Sequence, residues 1–166
     1  MAALVLLFLL LSADILAPHG EKALVLLFIR SDCPISNRYA PELERLAREY
    51  APAGIEFRLV YPEPGITAAT IERHRKEYGY SIPGLLDESR QYVARAHARI
   101  TPEAAVFVRG ELVYRGRIDD RAVDLGKTRR EASRHDLQEV LAAVAAGKTV
   151  AFHETKAVGC AIEGLP

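Results

Sequence analysis

The chain has 166 residues, 49% of them hydrophobic and 27% charged, with 22 Lys plus Arg against 22 Asp plus Glu. This is globular composition sized for one core, and a net charge of zero leaves no long-range field to gather nucleic acid or anionic lipid. With only two cysteines, Cys33 and Cys160, the chain can hold neither a multi-disulfide scaffold nor a four-cysteine zinc site.

In chain order, residues 2–11 are almost wholly apolar and run into Ser12-Ala13-Asp14, the pattern of a signal-peptide core ahead of a small residue at a cleavage point. The stretch is too short for a stable membrane span, so residues 1–13 read as an export signal, with an extra buried segment as the alternative. The first reading implies a periplasmic or secreted protein, the second a cytoplasmic one. Residues 14–148 then form one domain, and 149–166 a tail that carries Cys160.

Residues 23–29 are a continuous apolar run of strand length, as in a central strand covered on both faces. Pro34 suits the opening of a helix in which Tyr39, Leu43, Leu46 and Ala47 fall at helical spacing, with a kink predicted at Pro41. Residues 55–61 alternate as a second strand, and Thr67 caps a helix through Ile71, His74 and Tyr78 that stops at Gly79. Leu85-Leu86 is a short extended segment, after which Asp87 or Ser89 caps a helix through Val93 and Ala96. Residues 104–108 and 112–114 flank Arg109-Gly110 as a hairpin, and 118–134 read as a charged, solvated loop. Ser133 and Asp136 make a capping-box pattern for a last helix whose stripe is Leu137, Val140, Leu141 and Val144, stopped by Gly147; the tail reads as irregular. This order predicts an α/β fold, a mixed central sheet with helices on both faces.

An apolar strand delivers Cys33 to the first turn of a helix, where exposed N–H groups and the positive end of the macrodipole favour the nucleophilic thiolate. Asp32 pushes the other way by charge repulsion, while Arg30 or Arg38 would assist. The alternative is a small, inert core cysteine. The chain has no His-x-x-x-His, phosphate-binding glycine loop or serine triad pattern, which argues against zincin, nucleotide and hydrolase chemistry. His74 and His97 read as surface or boundary residues, and no metal or cofactor is expected.

Cys33-Pro34-Ile35-Ser36 at a strand-to-helix junction, Ala40-Pro41 in the following helix, Ile100-Thr101-Pro102 before a hairpin, and the hairpin itself together resemble the thioredoxin fold. More narrowly, the chain is similar to redoxins related to alkyl hydroperoxide reductase and thiol-specific antioxidant, the peroxiredoxin-like group. The resemblance implies a cis bond before Pro102 and a nucleophilic Cys33 that attacks a disulfide or a peroxide. Ser36 stands where dithiol thioredoxins have their second cysteine, and Arg30 where peroxiredoxins carry Thr or Ser.

On this reading Ser36 either donates to the thiolate or satisfies a first-turn N–H. Cys160 is either the resolving thiol or a free or statically paired tail cysteine. Asp32, Pro34, Thr101, Pro102 and Asp119 are expected to face the substrate, with Thr101 and Pro102 forming a wall where an extended chain pairs in strand fashion. The implied partners are a disulfide-bearing protein or a small peroxide or thiol, with an external thiol reductant. The competing class is a redox-inactive module that uses the groove beside Pro102 to bind a protein.

Overall fold

An apolar run with no polar face needs cover on both sides, and the computed structural model, which describes residues 20–164, puts this one at the sheet centre. Strand β1 (Ala23–Phe28) pairs in parallel with β2 (Ile55–Tyr61). The signal-peptide reading falls on residues 1–13, outside those described. Beyond β2 lies β3 (Gly84–Leu86), also parallel. After the short β4 (Ile100–Thr101), strand β5 (Glu103–Val108) returns antiparallel on the other side of β1, followed by β6 (Glu111–Gly116) across a turn in which Arg109 and Gly110 both take positive φ.

Helices cover both faces, as the alternating pattern predicts. On one face α2 (Ala40–Tyr50), α3 (Ala68–Glu77) and α5 (Asp136–Ala145) place Leu43, Leu46, Ile71, Leu137 and Leu141 against Val25, Leu27 and Leu59. On the other, α4 (Gln91–Ala96) packs Val93 and Ala96 onto Leu26, Phe28, Val60 and Phe107. The Asp87 carboxylate accepts from the Tyr92 and Val93 amides and so caps α4.

The helix that follows Cys33 breaks rather than kinks. The first helix, α1 (Pro34–Arg38), ends at Tyr39 and α2 starts at Ala40, because Pro41 has no N–H to give Asn37 and its ring crowds that carbonyl. Three other expectations fail. Ser133 makes no capping box with Asp136: its amide and hydroxyl bond Asp120, while Asp136 pairs with Arg117. The charged loop is not simply solvated, since Asp119 and Asp120 are buried and the hairpin β7 (Ala122–Asp124) and β8 (Lys127–Thr128) forms within it.

The tail is the third. Its strand β9 (His153–Glu154) extends the sheet parallel to β6, giving the order β3-β2-β1-β5-β6-β9, and β10 (Cys160–Ala161) pairs antiparallel with β4. Two glycines permit this close approach: a Cβ on Gly116 would collide with Thr155, and one on Gly159 with the Thr101 carbonyl. Ile162, 4% exposed, then anchors the tail in the α4-side core among Leu26, Phe28 and Val60.

Truncating Ile162 removes apolar area from a packed site near a terminus that can relax. Ile162→Ala should therefore cost about 2 kcal/mol of unfolding free energy, the low end for such a change, read by urea denaturation of the reduced protein.

Candidate active site

Cys33 is the N-cap of α1, with extended backbone (φ −91°, ψ 111°), and its carbonyl receives the first helical hydrogen bond from the Asn37 amide at 3.0 Å. Its thiol lies 3.5 Å from the Thr101 carbonyl, to which it can donate, and the Thr101–Pro102 bond is cis. The Cys160 thiol donates to Cys33 Sγ at 2.8 Å, and both cysteines are free thiols. Strand pairing makes this possible, because β10 sets Cys160 opposite Thr101 and the Thr101 hydroxyl bonds the Cys160 carbonyl at 3.3 Å.

The two thiols titrate in opposite directions. Burial pushes the Cys33 thiol up, but hydrogen bonds from the Cys160 thiol, the Ser36 amide and hydroxyl and the Ile35 amide outweigh it and hold Cys33 below the ordinary thiol range. Burial, and then its bond to Cys33 and that residue's charge, push Cys160 up. These opposite directions make Cys33 the more acidic thiol of the pair and Cys160 its hydrogen-bond donor. Ser36, fully buried, also accepts from the Arg30 amide at 3.5 Å, a group ahead of α1 rather than a first-turn N–H.

Several expected placements change. A nucleophilic Cys33 should be reachable from solvent, yet it is 1% exposed and covered by the tail, while Cys160 is half-buried. The Asp32 charge is offset beside Cys33, because Arg30 clamps its carboxylate at 2.9 and 3.0 Å, and that hydrogen bond holds Asp32 below the usual carboxylate range. Asp119, expected to face the substrate, is buried. At 2% exposure its oxygens accept from the Tyr39 hydroxyl at 2.6 Å and from Arg121 at 2.6 and 2.9 Å, tying the segment after β6 to the α1–α2 break. Pro34 is exposed beside Cys33, whereas the β4 edge at Thr101 already carries β10, so no substrate strand can add there while the tail is docked.

His74, read as a surface or boundary residue, is 4% exposed. Asn37 gives its NH₂ to the Ser31 carbonyl, so its oxygen accepts from His74 Nε2 and leaves Nδ1 to accept from the Tyr61 hydroxyl. Ser31 in turn donates its amide and hydroxyl to Glu63 at 2.9 and 2.7 Å, which fixes the turn delivering Cys33. The signal was present in the α3 pattern, where His74 shares the spacing of Ile71 and Tyr78; Glu63 had none. Glu42, Asp119 and His135 bring possible ligand atoms within 4.8 Å of one another. Both Asp119 oxygens are engaged, and Arg45 holds Glu42 at 2.7 and 3.0 Å, so this set does not suit a metal.

Two measurements check these electrostatics. Cys160→Ala deletes the leading donor to the thiolate, so the midpoint of Cys33 thiolate absorbance against pH should move upward. Burial lowers the His74 pKa below the ordinary value of 6.5, so the unfolded chain takes up that proton first as pH falls. Its contribution to stability is whole above that value and is lost below it, and His74→Gln should flatten the decline of unfolding free energy between about pH 7 and pH 5.

No family model and no curated protein matches the chain. Among solved structures it is similar to a hypothetical protein from Sinorhizobium meliloti 1021, with 26% identity, 87% of this chain and 81% of that chain covered, and a TM-score of 0.73. An uncharacterized conserved protein from Geobacillus kaustophilus is similar at 26% identity, with coverage of 88% and 79% and a TM-score of 0.72. The thioredoxin domain of a thiol-disulfide oxidoreductase from Bacteroides vulgatus matches at 11% identity, with coverage of 74% and 79% and a TM-score of 0.53. The fold is thioredoxin-like, a mixed central sheet flanked by helices.

Proposed function

We propose that the protein is a thiol-disulfide oxidoreductase in which Cys33 is the nucleophile and Cys160 the resolving thiol. The Cys33 thiolate attacks a substrate disulfide, one substrate thiol leaves, and Cys160 then attacks Cys33 Sγ to release the second thiol and close an internal bridge. The observation that carries this reading is the 2.8 Å approach of the two sulfurs. The second thiol that Ser36 cannot supply comes from the tail.

A peroxide would be reduced by the same pair through a sulfenic acid at Cys33. The disulfide reading is favoured because Arg30 is clamped by Asp32 rather than aimed at the sulfur. A module that binds a protein strand along the β4 edge is disfavoured, since β10 occupies that edge. No helix among the described residues is long and apolar enough to cross a membrane, and a dithiol pair of this kind suits the oxidising compartment implied by an export signal.

Mild oxidation should remove two hydrogens from the intact mass and join the peptides holding Cys33 and Cys160. Cys160→Ser should instead trap a mixed disulfide or an added oxygen at Cys33, and Cys33→Ser should abolish turnover. An oxidised protein that still alkylates at both cysteines overturns the assignment.

A further inference from the structure

Cys33 sits at the start of α1, and the β7–β8 hairpin lies over the same helix. Between them is a cleft of about 250 Å³ that begins at Ile35, two residues beyond the sulfur, and is lined by Arg38, Arg121, Arg129 and Arg130 with no carboxylate among its lining residues. Arg121 and Arg129 are paired with Asp119 and Asp120, but Arg38 and Arg130 have no ion pair among the described residues. Arg121 also keeps a buried Nη2 without a hydrogen-bond partner there. Across the hairpin a second cleft of about 460 Å³ shares Ala122 and Arg129, adds Arg117 and Lys156 against one carboxylate, Asp124, and reaches Ile100 and Gly159, the neighbours of Thr101 and Cys160. A basic rim thus runs from the active-site helix to the flank of the less buried sulfur, on a chain whose net charge is zero.

We infer that this cleft binds the carboxylates of an acidic low-molecular-weight thiol, and that such a thiol is the reductant that reopens the Cys33–Cys160 bridge. The inference rests on the reading that this bridge forms. Guanidinium groups suit carboxylates because their paired N–H donors match the two oxygens. A small molecule is required because the β4 edge, where a protein strand would pair, is filled by β10. The reductant's thiolate attacks Cys160 Sγ, on the less buried of the two cysteines; the S–S bond breaks and its electron pair leaves on Cys33 Sγ. A second thiolate attacks the small-molecule sulfur of the mixed disulfide, releasing the small disulfide and a Cys160 thiolate that takes up a proton. Two small thiols are oxidised and one protein disulfide is reduced.

The test uses the full chain, oxidised beforehand, at low ionic strength. Mercaptosuccinate and cysteamine serve as the acidic and basic probes, each rate expressed per thiolate and divided by the same thiol's rate with neutral 2-hydroxyethyl disulfide to cancel intrinsic nucleophilicity. The acidic thiol should be favoured by about tenfold, and the ratio should fall with added salt. Arg38→Gln/Arg130→Gln should collapse the ratio to about twofold or less, while the charge-matched Arg73→Gln/Lys76→Gln on α3 should retain it. A ratio near unity in the native chain, or one that survives loss of Arg38 and Arg130, overturns the inference while leaving the dithiol reading intact. Failure to form the bridge at all would instead remove that reading, and this one with it.

Discussion

The contact between Cys160 and Cys33 exists only because residues 149–164 are laid on the domain as structure rather than left as a trailing segment. A hydrogen bond between two thiols is too weak to hold a chain end in place. What holds it is apolar burial of Ile162, strand pairing of β10 with β4 and of β9 with β6, and the two glycines that let backbone meet backbone. The sulfur–sulfur approach is the consequence of that docking. The same docking buries Cys33, so the segment that supplies the second thiol also limits what can reach the first.

Two thiols this close need an asymmetry to decide which ionises first, and the fold supplies it through amides. Cys33 stands where the first N–H groups of α1 have no helical partner, so Ile35 and Ser36 donate toward its sulfur. Cys160 stands on a two-residue strand whose backbone groups serve the β4 pairing instead. Side-chain charge is a minor influence on Cys33, because the nearest acid, Asp32, is neutralised by Arg30. The turn that carries these donors is itself held by Glu63 and by the His74–Asn37 bridge, so α3 and the loop after β2 support the reactivity without touching the sulfur.

How much of this was legible in the sequence follows from the range of the forces involved. The run at 23–29, the alternation at 55–61 and the Arg109-Gly110 turn are local patterns, and the central strands and hairpin follow them closely. Cys33 at a strand-to-helix junction was equally local. The capping box at Ser133 failed because a distant carboxylate, Asp120, competes for the same hydroxyl, and a local motif carries no record of such a competitor. Strand β10 has two residues and no period to detect, so the tail read as irregular although it fills the groove assigned to a substrate. Burial of Asp119 was invisible for a related reason: a charged run looks solvated until Tyr39 and Arg121 are brought against it from other parts of the fold.

On the proposed reading, placing the second thiol in the tail rather than at Ser36 changes what a bridge does to the whole chain. A bridge across one helical turn would constrain almost nothing in the unfolded state, whereas Cys33 and Cys160 are 127 positions apart. Closing a loop of that length removes enough chain entropy from the unfolded ensemble to stabilise the fold by about 5 kcal/mol in the loop-closure model. Linkage makes the relation reciprocal: whatever the bridge adds to folding, folding adds to the bridge, because both describe one thermodynamic cycle. Every contact that docks the tail, Ile162 above all, therefore acts on the redox equilibrium of the pair as well as on stability. On that reading the packing of residues 149–164 acts on the pair alongside the groups around Cys33 Sγ.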